Sequence, residues 1–169
     1  MIKQPRSPLN QTMTTDFFDV LGPLVKPLMA LSRTDTDYCL LQSIFPNGVV
    51  VPLHSHAERE TFYILEGKVE GWCQGEWRSF GAGEVFDVPG NARHALRNFS
   101  GEPALLLLVT TMRMGRFFTE MGRPATASVS RSPTQAELER LAALARDYGH
   151  WLGGPEENAA VGLVLGEVV

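Results

Sequence analysis

Residues 48–67 read GVVVPLHSHAERETFYILEG. His54 and His56 stand two apart at the end of an apolar, β-branched run, so in an extended strand both side chains project from one face. Ala57 to Arg59 leave room for a turn, and Glu60 then opens a second apolar run that closes at Gly67. Two imidazoles and a carboxylate on neighbouring antiparallel strands make a three-ligand face around a metal ion, with coordination positions left open.

Outward from this stretch the pattern repeats. From Phe17 to about Met112, short apolar runs are punctuated by Gly, Pro and Asn, the mark of an all-β domain. The runs predict strands at Leu24–Leu31, Tyr38–Phe45, Val49–His54, Thr61–Leu65 and Val69–Gln74. Further strands are predicted at Trp77–Phe80, Val85–Val88, His94–Phe99 and Ala104–Thr110. Their even spacing points to a sandwich or a closed barrel. Residues 1–15, with Pro5 and Pro8, read as an N-terminal arm before a barrel over 16–112.

After Met112 the character changes. Residues 113–169 are expected to form a C-terminal appendage, with a short helix from Gly115 to Met121 and a linker from Gly122 to Ser132. A longer helix is predicted from Thr134 to about Trp151: Thr134 and Glu137 make a capping box, and Leu138, Leu141, Ala142, Ala145, Tyr148 and Leu152 share one face. Gly153-Gly154-Pro155 ends it, and Val161 to Val169 is apolar enough for an edge strand. His150, alone near the end of that helix, reads as an ordinary core or surface histidine.

A second stretch carries Gly83, Pro89, His94 and Asn98. Together the two stretches resemble the paired motifs of the cupin superfamily: the first at Gly48, His54, His56, Glu60 and Gly67, the second at those four positions. The second departs where the family usually has glycine two residues after the proline, since Asn91 stands there; asparagine tolerates the left-handed backbone such a turn needs. Fifteen residues separate Gly67 from Gly83, a spacing common in small microbial cupins. The flanks Asp19 to Pro27, Phe117-Phe118 and 138–155 look like bacterial cupins described as quercetin-dioxygenase-like.

The resemblance implies a double-stranded β-helix, or jelly-roll barrel, in which His94 joins His54, His56 and Glu60 on one divalent transition metal ion, whether Fe, Mn, Ni, Co, Cu or Zn. It also implies a metal-dependent oxygenase acting on a small aromatic or enolisable substrate, with Glu60 as catalytic base. A redox-neutral isomerase or cyclase, and a non-enzymatic small-molecule binder, are the alternatives. Strand alternation puts Phe62 and Ile64 on the face of Glu60, and Leu96 and Asn98 on that of His94. With Phe86 these are the expected substrate-binding residues.

A net charge of −4 with scattered arginines excludes the clustered basic surface that a nucleic-acid partner requires. The longest apolar run, Ala104 to Val109, is too short to span a bilayer, so no membrane partner is expected. Cys39 and Cys73 lie in apolar strand-like runs and are expected unpaired in a reducing compartment. Without an apolar leader at the start, the chain reads as cytoplasmic. The helix face at 138–152 and the N-terminal arm favour a homodimer.

Overall fold

A computed structural model describes residues 16–125 and 133–164. The expected arm over 1–15, most of the 122–132 linker and residues 165–169 of the expected terminal strand lie outside them. In chain order the elements are β1 (Phe18–Asp19), β2 (Leu24–Pro27), β3 (Tyr38–Phe45), β4 (Val50–Ser55), β5 (Glu60–Glu66), β6 (Lys68–Cys73), β7 (Glu76–Gly81) and β8 (Val85–Val88). They continue with β9 (His94–Arg97), β10 (Ala104–Thr111), α1 (Met112–Met121), β11 (Arg123–Pro124), α2 (Gln135–Asp147), β12 (Trp151–Leu152) and α3 (Pro155–Ala160).

The strands form two antiparallel sheets, one ordered β11-β1-β2-β3-β10-β5-β8 and the other β12-β4-β9-β6-β7. Their inner faces enclose one apolar core built from alternate residues, among them Leu41, Ile64, Val69, Val88, Leu96, Leu106 and Leu108. The alternation is plainest in β3, where Cys39, Leu41, Ser43 and Phe45 are buried and the intervening residues are not. Phe62 and Phe86, cross-strand partners on β5 and β8, stack at 5.9 Å, a contact worth about 1 kcal/mol beyond the area it buries. Opposite them Gly71 leaves the space: a Cβ there would lie 2.7 Å from the Phe86 ring. Cys39 and Cys73 are free thiols. Among the described residues no helix is long and apolar enough to cross a membrane.

Several features differ from the sequence reading. Strand β4 is bulged: Val51 faces Leu96 on β9, but His54, three residues on, faces His94, only two residues earlier on that strand. The bulge holds Pro52 and Leu53, so Val51 and not Val50 packs inward with the core. The predicted 134–151 helix stops at Asp147, because Gly149 (φ 71°) takes a left-handed turn that frees Trp151–Leu152 to pair with Ser55 and His54. The buried side of α2 runs through Leu138, Leu141, Leu144 and Ala145, leaving Ala142 exposed and Leu152 on a strand. Beyond it, α3 and a turn occupy 155–164, where the expected edge strand would have begun. The first helix starts three residues early because the Thr111 hydroxyl at the end of β10 caps it.

The segment 151–163 covers the outer face of the five-stranded sheet, packing Trp151, Val161 and Leu163 against Leu53, Trp72, Trp77 and Ala95. Its pin is Asn158, fully buried: Oδ1 accepts from the Leu53 amide at 2.8 Å and Nδ2 donates to the carbonyls of Gly153 and Gly154. The Leu53 amide, inside the bulge, has no strand partner of its own. Asn158→Ala is therefore expected to lower the free energy of unfolding by about 3 kcal/mol, since it strands buried polar groups. Urea unfolding with an unchanged slope and a shifted midpoint is the check.

Candidate metal centre

Four side chains meet inside the barrel at the end where β4 runs into β5. His54, His56, Glu60 and His94 each offer one ligand atom, and these atoms lie within 4.8 Å of one another. Three strands supply them: His54 closes β4 before the turn that holds His56, Glu60 opens β5, and His94 opens β9 as the direct partner of His54. The site thus depends on the bulge that turns His54 inward. His56, Glu60 and His94 are buried, while His54 is half-buried.

All three imidazoles are oriented by backbone. Nδ1 of His54 donates to the Pro52 carbonyl at 2.8 Å, Nδ1 of His56 to that of Glu58 at 3.0 Å, and Nδ1 of His94 to that of Ala92 at 2.9 Å. A carbonyl only accepts, so each proton sits on Nδ1 and each Nε2 is left with a lone pair. The same arrangement fixes tautomer and ring direction in metal-binding histidines generally. Asn91, at the position where the family usually has glycine, takes φ 65° and donates its amide to the His56 carbonyl at 2.6 Å, so the turn survives the substitution.

The inner atoms lack partners. His56 Nε2, His94 Nε2 and Glu60 Oε1 are buried without a hydrogen bond, and Glu60 Oε2 is 3.6 Å from His56 Nε2 and 3.4 Å from His94 Nε2. Buried polar groups normally find partners, and a convergent set of orphaned donors of this kind fits a divalent cation. Electrostatics points the same way. Burial would raise the Glu60 carboxyl, but the close approach of His56 and His94 holds it well below the usual carboxylate range. Burial would lower His56, but the carboxylates of Glu58 and Glu60 raise it to about 9. Enclosure and the neighbouring His94 and His56 push His54 well below the ordinary imidazole range.

A cavity of about 240 Å³ opens along β6, β7 and β8, and none of the four clustered side chains lines it. Cys73 is the β6 partner of His94, so the two project from the same face, and Glu76 and Arg78 on β7 continue that face outward. The cavity is lined by these three with Gly71, Phe86 and Pro89 among others. Of the residues expected to bind substrate, only Phe86 borders it. Phe62, Ile64 and Leu96 lie in the core. Asn98 is fully buried and its side chain is spent on the chain itself, donating to the carbonyls of Phe45 and Glu102 and accepting from Ser100. Alternation along β5 gives the face but not the depth: Glu60, Phe62 and Ile64 descend from the metal end into the filled part of the barrel.

The sequence reading also passed over a group around the cluster. Glu58, 7% exposed, pairs through one oxygen with Arg113 of α1, while its other oxygen lies 3.5 Å from His56 Nδ1. His150 reaches the same place, with ring centroids 5.1 Å from His56 and 4.5 Å from Phe117. Its side chain is 2% exposed, and burial with the adjacent His56 lowers it to about 4. Neither residue belongs to either motif, and no spacing rule links position 150 to position 56.

Comparison with known proteins agrees with this geometry. Residues 40–110 match the family model described as Cupin domain. Over those residues the chain carries a cupin-type domain. A quercetin 2,3-dioxygenase of Bacillus subtilis (strain 168) is 29% identical over 96 residues, which are 56% of this chain and 28% of that enzyme. The solved structure of KdgF from Halomonas sp. is 24% identical with a TM-score of 0.50, covering 58% of this chain and 86% of the other. An RmlC-like cupin from Shewanella frigidimarina is 19% identical with a TM-score of 0.51, covering 61% and 88%. Both structures share the fold.

Because metal must displace the proton drawn onto His56, affinity is expected to rise with pH up to about 9. One displaced proton gives roughly a tenfold change per pH unit, so Co(II) should bind about 100-fold more weakly at pH 6 than at pH 8. Equilibrium titration followed by the Co(II) visible spectrum measures this, and an affinity flat across that range would contradict it.

Proposed function

We propose that the protein is a metal-dependent oxygenase acting on a small aromatic or enolisable substrate. The observation that carries the metal-dependent part is the convergence of four donor atoms within 4.8 Å, with every imidazole tethered through Nδ1. The partial match to a quercetin 2,3-dioxygenase supports the choice of oxygenase.

His54, His56, His94 and Glu60 would hold the ion, which when bound supplies Lewis acidity and, if redox-active, a means of bringing organic substrate and dioxygen to reaction. The protein's own part follows from its side chains. Phe86, Gly71 and Pro89 give the cavity an apolar wall suited to a ring, and its volume fits a small molecule. The core beneath, with Phe62 and Val88 buried beside Glu60, keeps water from the closed side. Glu60 stays ionised at neutral pH and would act as the catalytic base toward a substrate hydroxyl.

The proposal extends to a homodimer. The α2 face expected to pair is half covered by α1, so the better candidate is the outer face of β5 and β8, where Tyr63, Leu65 and Val85 are exposed. Light scattering should give twice the chain mass, and Tyr63→Lys with Val85→Lys should halve it.

Protein purified without oxygen is expected to carry about one redox-active metal ion per chain, lost in the His54→Ala/His94→Ala double variant. Oxygen-electrode screening with phenols and enolisable ketones should then show uptake that the double variant lacks. Stoichiometric metal with no uptake would favour the redox-neutral reading. A folded protein that stays empty when offered Fe, Mn, Ni, Co, Cu and Zn would overturn metal-dependent function altogether.

A further inference from the structure

We propose that Glu58 and His150 are positioning residues of the metal centre, acting through the His56 ligand, so that the chain after the barrel strands completes the site. The inference rests on the metal-binding reading above. It adds that a group outside both motifs sets the strength and geometry of one ligand.

The geometry starts at His56. Its Nδ1 proton goes to the Glu58 carbonyl at 3.0 Å, and the Glu58 carboxylate lies 3.5 Å from the same nitrogen. A carboxylate behind a histidine ligand makes the opposite nitrogen a stronger donor and holds the ring in plane with its target. Glu58 can serve in this way only if it is kept ionised and fixed while buried. Arg113 does both: one guanidinium nitrogen pairs with Glu58 and another donates to the Tyr148 carbonyl at 2.6 Å, with the guanidinium 4.8 Å from the Tyr148 ring.

His150 closes the remaining side. The second Glu58 oxygen and His150 Nε2 are both buried without hydrogen-bond partners, and they face each other at 3.9 Å. Two orphaned atoms of complementary type so close together are accounted for if His150 carries its proton on Nε2 and directs it at Glu58, across a short closing movement or one bridging water. His150 is brought there by three contacts from different elements. Its amide donates to the Ala145 carbonyl of α2 at 2.7 Å, its ring packs on Phe117 of α1, and the next residue, Trp151, pairs with Ser55 beside the metal strand. A histidine with only a packing role would not need its polar edge sealed against a carboxylate.

The test uses Co(II) alone as probe, with the full chain and the variants Glu58→Gln, His150→Ala and His150→Gln. Glu58→Gln keeps the shape and removes the charge; it should weaken Co(II) binding about 10- to 100-fold and shift the visible ligand-field bands. His150→Ala should weaken binding several-fold in the same direction, and His150→Gln, which keeps a side-chain N–H, should recover most of it. Circular dichroism of the metal-free proteins separates these effects from unfolding; should Glu58→Gln fail to fold, the His150 pair decides alone. Wild-type affinity and spectrum in the variants would overturn the inference, as would equal losses in His150→Ala and His150→Gln. A folded wild type that binds no Co(II) would instead overturn the metal reading on which it stands.

Discussion

A carboxylate 3% exposed and three imidazoles with inward-facing lone pairs cannot share the interior of a barrel without a positive charge among them. Leaving a buried carboxylate unpaired costs several kcal/mol, so some cation must be present: a proton on His56, or a metal ion. The choice between them makes the site responsive to pH and to metal supply. Much of the surrounding structure serves to keep these four groups from relaxing apart. Three backbone carbonyls hold the rings, Asn91 anchors the turn after β8 to His56, and the bulge in β4 turns His54 inward.

The bulge has to be held in place in turn. It leaves the Leu53 amide without a ladder partner, and Asn158 supplies one from α3, the last helix among the described residues. The carbonyl of Leu53 accepts from Gly153, and Trp151 and Leu152 extend the same sheet beside Ser55 and His54. Arg113, at the start of the helix that follows β10, reaches back to Glu58 in the turn between the ligands. The residues after Met112 are thus joined to the metal strands by hydrogen bonds and an ion pair as well as by apolar packing. The four clustered side chains alone do not define the environment of the site.

The cavity along β6, β7 and β8 is bordered by a packed core. Most inward positions are large, and the core beneath Glu60 is packed with Phe62, Ile64 and Leu96. On β6 and β7 the cavity is bordered by Cys73, Glu76 and Arg78. Gly71 leaves its side-chain space to Phe86, which becomes both core and cavity wall.

The fold class and the clustering of His54, His56 and Glu60 were legible in the linear chain because they depend on local rules. Period-two alternation, turn residues at the strand ends and the spacing of His54, His56 and Glu60 are properties of stretches a few residues long. The resemblance to a family added His94, which no local rule connects to the others. What tertiary structure alone decided was depth, register and company. Alternation assigns Phe62 and Phe86 to one interior but cannot say that one lies under the floor and the other in the wall. A bulge that inverts two residues of β4 leaves no mark in composition, and helical periodicity runs on through Tyr148 until Gly149 turns the chain. Glu58, Arg113 and His150, separated by as many as 92 residues, meet only because two helices and a two-residue strand fold back over the metal end. Pairing energy between distant groups is a property of the folded arrangement, so only the fold could reveal it.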